Sequence, residues 1–141
     1  MNVEAARPSW SGDGRPSLLI ADDDAVVCSA LRIQLEGNFH IVGIANDATE
    51  AILLAEKYRP DAALLDVEMP NGGARVAVPA IDTRSPDTCV VILSGDECFP
   101  VVIELLCAGA IAYVRKGCTN QHLTKTLADA LRVKGNNPTP V

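Results

Sequence analysis

The sequence predicts an α/β protein whose parallel sheet is covered by helices on both faces. Three observations predict it. Short apolar runs alternate with stretches of helical periodicity, five times along the chain. The runs are continuous rather than alternating polar and apolar, as in strands buried on both sides. With 141 residues, 48% hydrophobic and 21% charged, the chain can bury one core without disulfides or a structural metal.

Residues 1–16 are polar, rich in Pro and Gly and without period, so they read as a flexible tail. Trp10 in that tail is either incidental or an anchor for a partner. Residues 18–21 form a first strand. Val27, Leu31 and Leu35 recur at four-residue spacing, which predicts a helix over 25–36 ended by Gly37. A second strand covers 39–45. Asp47 followed by Glu50 is a capping box. The helix it opens carries Ala51, Leu54, Ala55 and Tyr58 on one side and stops before Pro60.

A third strand, 62–66, ends in a single acid, Asp66, and the loop VEMPNGG follows. The third helix is predicted over 74–82, with Pro79 expected to cost a hydrogen bond or a kink. Residues 88–94 are a β-rich fourth strand. Pro100 suits the first turn of the fourth helix and Gly109 its end. The fifth strand covers 111–116. Thr119 caps a last helix with Leu123, Leu127, Ala130 and Leu131 on one face. Residues 135–141, GNNPTPV, read as linker or tail, which leaves 17–134 as the folded domain.

Composition removes several functions. The net charge is −6 and no basic stripe stands out, which argues against direct nucleic-acid binding. No apolar run approaches the roughly 18 residues of a membrane span, and no signal peptide opens the chain. These features predict a cytoplasmic protein with no membrane contact. The five cysteines (Cys28, Cys89, Cys98, Cys107 and Cys118) are scattered, with no CxxC pair and no His at ligand spacing. They read as small buried hydrophobes in a reducing compartment.

The polar residues at the carboxyl ends of the strands are the candidate site, because ligands of open parallel sheets bind there. Asp22 and Asp23 follow strand one, Asp66 ends strand three, Ser94 ends strand four and Lys116 ends strand five. Three close carboxylates suit a hard divalent cation, Mg²⁺ being the usual intracellular one. Such a cation relieves their repulsion and orients an incoming phosphoryl group. A carboxylate can then attack phosphorus and form an aspartyl phosphate. Lys116 pairs with one phosphoryl oxygen and the Ser94 hydroxyl with another. Asp24, with Ala25 next, reads as a helix N-cap rather than a ligand.

The pieces IADDD, LLDVEMPNGG, VVILSGD and GAIAYVRKG, in that order, resemble the receiver domain of two-component response regulators, of the type found in LuxR-type regulators. The spacings are 43 residues from Asp23 to Asp66, 28 to Ser94 and 22 to Lys116. The likeness covers residues 17–134. It implies a doubly wound, flavodoxin-like sheet of order 2-1-3-4-5 with helices on both faces. It implies that Asp66 is the phosphoacceptor for a sensor histidine kinase, and that Mg²⁺ is held by Asp23 directly, Asp22 through water, Asp66 and the Glu68 backbone carbonyl. Ser94 and Tyr113 would form the switch pair, although plain core packing accounts for Tyr113 equally well. The readout surface would be the fourth helix, fifth strand and fifth helix, with transcription controlled through a DNA-binding domain outside this chain. Catalysis would stop at self-phosphorylation and slow autodephosphorylation.

Three features depart from the family pattern. Gly117 stands where many receivers have Pro, PNGG replaces an Asp-Gly pair, and Glu68 and Asp96 occupy positions that tune loss of the phosphoryl group. The fourth helix, with Val101, Val102, Ile103, Leu105 and Leu106, carries more apolar residues than one buried stripe needs. The surplus suggests a face for homodimerisation on phosphorylation. Two other readings remain open. The stretch DDDAV resembles the DxDx[TV] pattern of haloacid-dehalogenase-type phosphatases, with Asp22 as nucleophile. The chain can also be a receiver-like interaction module that is never phosphorylated.

Overall fold

The computed structural model describes residues 14–95 and 99–135. Trp10, Asp96 and Cys98 lie outside the described residues. In chain order the elements are β1 (Ser17–Ala21), α1 (Ala25–Leu35), β2 (His40–Ala45), α2 (Ala48–Tyr58), β3 (Ala62–Asp66), α3 (Gly73–Arg84), β4 (Cys89–Ser94), α4 (Phe99–Ala108), β5 (Ala112–Arg115) and α5 (Asn120–Gly135). The five strands form one sheet in the order β2-β1-β3-β4-β5, every neighbouring pair parallel. The last two residues of the predicted tail touch this frame. The Pro16 carbonyl accepts from His40 N, and the Arg15 guanidinium reaches the Glu36 and Phe39 carbonyls.

The side-chain period of two sorts the core into two layers. Leu19, Ala21, Ala63, Leu65, Val90 and Ile92 face one way, against Ala51 and Ala55 of α2, Ala77, Val78 and Ile81 of α3 and Leu105 of α4. Leu18, Ile20, Ala62, Leu64, Val91 and Leu93 face the other way, against Cys28, Leu31 and Leu35 of α1 and Leu123, Leu127 and Ala130 of α5. The central strands β1, β3 and β4 are buried throughout, which is why their sequences are apolar on both faces.

Local chemistry sets the helix ends. Asp24 accepts from Val26 N at 2.9 Å and Val27 N at 3.3 Å, so it caps α1. Asp47 caps α2 by accepting from Glu50 N at 2.7 Å. The Glu50 carboxylate returns to Asn46 N at 2.9 Å, one residue earlier than a capping box predicts. The helix stops where Arg59 turns left-handed at φ 46° ahead of Pro60. Tyr58 is 41% exposed rather than packed with Ala51 and Ala55. The backbone already leaves the helix there, and the ring lies along the surface with Lys57 Nζ 5.1 Å from its centroid.

Pro79 does not end α3, which runs past it to Arg84. Ala77, Val78 and Ile81 bury that turn against the sheet, and this packing offsets the missing N–H. The cysteines split. Cys28 and Cys89 are buried as predicted, whereas Cys107 is exposed and Cys118 half-buried, on the outer side of α4 and after β5. No helix among the described residues is long and apolar enough to cross a membrane.

Candidate functional site

Register decides where the polar residues emerge. Ala21 pairs with Leu65, Asp66 with Leu93 and Ser94 with Arg115. The carboxyl ends of β1, β3, β4 and β5 therefore reach one rim together, and residues 22, 66, 94 and 116 meet although nearly a hundred residues separate the first from the last.

Asp22, Asp23 and Asp66 each offer a carboxylate oxygen, and these atoms lie within 4.8 Å of one another. Asp22 is fully buried and Asp66 nearly so, while Asp23 is exposed. One Asp22 oxygen accepts from Asp24 N at 2.9 Å. The other, Oδ2, is buried and has no aligned hydrogen-bond donor. The Lys116 ammonium stands 3.3 Å from it and 3.0 Å from Asp66 Oδ1. Lys116 thus bridges two acids. Three convergent carboxylates that share a single ammonium, one buried oxygen among them lacking an aligned donor, fit a hard divalent cation such as Mg²⁺.

The electrostatics follow from this crowding. Burial pushes the Asp66 carboxyl up, and Asp22 and Asp23 push the same way. The Lys116 contact opposes them, and the balance stands at about 6. Burial pulls Lys116 down, but Asp66 and Asp22 outweigh it and leave the ammonium above its ordinary value. Cys28 lies beneath this rim, its thiol donating to the Asp22 carbonyl at 3.2 Å. Burial first, then Asp22, raises that thiol, so it stays protonated and unreactive.

A turn places Lys116. Cys118 N donates to the Arg115 carbonyl at 3.1 Å and Lys116 N to the Ser94 carbonyl at 2.7 Å. Gly117 takes φ 87°, the left-handed position that the third residue of a type II turn requires. Ser94 is buried at the end of β4. Tyr113 is half-buried one strand over, level with Ile92. Its ring stands edge-on to Phe99, centroids 6.5 Å apart at 89°.

A cleft of about 350 Å³ opens beside Asp23, walled by Val67, Glu68, Met69, Gly73, Arg75 and Val101 among others. Glu68 therefore stands at the edge of this cleft. Asp24 is outside the acid cluster, its side chain spent on the α1 cap. The DxD pair that a dehalogenase-type phosphatase needs is thus not brought together. Arg75 and Phe99 were not found by sequence reasoning. Arg75 pairs with Glu104 at 3.2 Å across 29 residues, and no local pattern signals a pair so far apart.

Comparison with known proteins agrees with this geometry. The profile of the response regulator receiver domain matches residues 18–128. The chain is 33% identical over 111 residues to the transcriptional regulatory protein YhcZ of Bacillus subtilis, covering 77% of this chain and 52% of that protein. It is 30% identical over 112 residues to the response regulator GacA of Pseudomonas aeruginosa, covering 78% and 52%. The chain thus spans about half the length of these curated relatives. Among solved structures, the signal receiver domain of the response regulator NarL from Mycobacterium tuberculosis superposes with a TM-score of 0.80 at 25% identity, covering 84% of this chain and 97% of that one.

Proposed function

Because the chain belongs to the response regulator receiver domain family, we propose that it accepts a phosphoryl group on Asp66 from the phosphohistidine of a sensor histidine kinase and passes the change to an output. One observation carries this reading. The Asp66 carboxylate stands at the end of β3 with Asp22 and Asp23 within 4.8 Å and the Lys116 ammonium at 3.0 Å. In the transfer an Asp66 oxygen attacks phosphorus, the phosphorus–nitrogen bond breaks and its electron pair returns to the imidazole. Mg²⁺, when bound, would withdraw charge from the phosphoryl oxygens. Asp23 would hold it directly and Asp22 through water, with Asp66 and the Glu68 carbonyl as the remaining protein ligands. Lys116 exchanges its hold on Asp66 for a phosphoryl oxygen, and the Ser94 hydroxyl donates to another.

The Ser94 movement would release space that the Tyr113 ring follows into, changing the surface of α4, β5 and α5. The output is transcription, through a DNA-binding domain beyond residues 135–141, with residues 17–134 as the receiver and 1–16 as a flanking tail, all in the cytoplasm. Phosphorylation promotes a homodimer through α4. Glu68 and Asp96 set how fast the acyl phosphate is lost to water. The test is incubation with acetyl phosphate and Mg²⁺, followed by mass-spectrometric mapping. A label on Asp66 supports the reading. A label on Asp22, or steady turnover of phosphate esters, selects the phosphatase. No label, and no beryllofluoride binding by the folded protein, selects the unphosphorylated module.

A further inference from the structure

The cleft beside Asp23 carries a cation that the reading above does not use. Its acidic walls, Asp23 and Glu68, disfavour a small anion unless a cation offsets them, and Lys116 is not among the wall residues. Arg75 is. Two features fix where its guanidinium stands. Ala74 N donates to the Val67 carbonyl at 3.0 Å, so the first turn of α3 is tied to the residue that follows Asp66. Gly73 makes that approach feasible: at φ 61°, a Cβ there would lie 2.6 Å from the Val67 oxygen. At the other end, Glu104 of α4 takes Arg75 Nε at 3.2 Å. This leaves the fork of terminal N–H groups as the donors available to a small anion in the cleft.

We propose that Arg75 determines which small phosphodonors this site accepts, favouring acyl phosphates by binding the leaving carboxylate. The assignment rests on Asp66 being the phosphoacceptor. With acetyl phosphate, an Asp66 oxygen attacks phosphorus and the bond from phosphorus to the acyl oxygen breaks. The electron pair leaves on acetate, and no proton is needed. Negative charge therefore develops on the group that departs opposite Asp66, and a group that departs toward the adjoining cleft meets Arg75 in its wall. A guanidinium hydrogen bond to it is stronger in the transition state than in the ground state, which is the condition for a faster reaction. Phosphoramidate separates the effect, because its leaving group departs as neutral ammonia and gives Arg75 no charge to bind. Glu104 is the positioning residue, acting only through Arg75.

The experiment compares phosphorylation rates with the two donors at fixed Mg²⁺, with calorimetric Mg²⁺ affinity measured in parallel. Arg75→Ala should slow reaction with acetyl phosphate about 3- to 10-fold, the scale of one exposed charge-assisted hydrogen bond. It should leave the phosphoramidate rate and Mg²⁺ affinity unchanged. Arg75→Lys should keep most of the acetyl phosphate rate, and Glu104→Gln should fall between. Equal slowing with both donors shows a structural role and overturns the assignment, as does no change with either. If the unaltered protein takes label on Asp66 from neither donor, the phosphoacceptor reading fails first and this assignment with it.

Discussion

At the scale of single residues the site is a balance of three carboxylates against one ammonium. Asp66 carries its proton up to about pH 6, against roughly 3.9 for a free aspartate. The native state therefore binds protons more tightly than the unfolded state between those two values. Stability gained this way is complete below about pH 4 and lost as pH rises through 6. Without Mg²⁺, urea midpoints should rise by the equivalent of about 2 kcal/mol between pH 7 and pH 4, other groups held aside. Asp66→Asn should flatten that dependence and abolish labelling. Saturating Mg²⁺ should reverse it, since the ion binds the ionised acids. Lys116→Ala removes the partner of both Asp66 and Asp22. It should destabilise the Mg²⁺-free protein by about 1–2 kcal/mol, modest because the ammonium is partly solvated, and 10-fold or greater loss of phosphoryl transfer should accompany it. Melts with and without Mg²⁺ check both. The acids, Ser94 and Lys116 were legible in the sequence because each ends an apolar run and strand ends of a parallel sheet must share a rim. Arg75 was not, because its position comes from a loop folding back on Val67, which hydrophobic periodicity does not encode.

At the scale of elements, short backbone devices aim these side chains. The turn of residues 115–118 holds Lys116 at the rim, and it needs the left-handed conformation of Gly117, where a Cβ would meet open space. Gly117→Ala should therefore cost only the backbone strain, about 1 kcal/mol, with phosphorylation intact. Gly117→Pro demands φ near −65° and cannot keep this turn. It should displace Lys116 and slow acetyl phosphate labelling severalfold even if the melt is barely moved. Gly73 is different, because its Cβ would meet the Val67 backbone oxygen. Gly73→Ala should cost more than Gly117→Ala, since backbone cannot yield as a side chain can. Element existence was readable throughout, because continuous apolar runs and four-residue spacings name strand and helix directly. α3 runs through Pro79, as the sequence predicts, and its buried flank holds it there. The error lies where the backbone overrode local preference: Tyr58 turned outward because the chain leaves α2 at Arg59.

At the scale of the whole molecule the two faces of the sheet are unequal. Three helices cover one face and two the other, and α4 is the most apolar yet buries only Val102 and Leu105. Phe99 and Ile103 are 64% and 56% exposed, one turn apart. Phe99 is also the residue against which the Tyr113 ring stands. The exposed stripe and the proposed switch thus share a side chain, so an inward move of Tyr113 must change what that stripe presents. Two copies burying such a stripe would gain about 25 cal/mol per Å² of apolar area, against the several kcal/mol lost on association. The dimer should therefore be weak at rest and form only when the ring's position fixes the stripe. Sedimentation with and without beryllofluoride and Mg²⁺ should show a monomer that shifts toward a dimer on activation. Ile103→Glu should hold the activated protein monomeric while leaving Asp66 labelling unchanged. A monomer at high concentration in the beryllofluoride state would remove α4 as the output face, and Tyr113 would then be a core residue whose outer edge happens to touch Phe99.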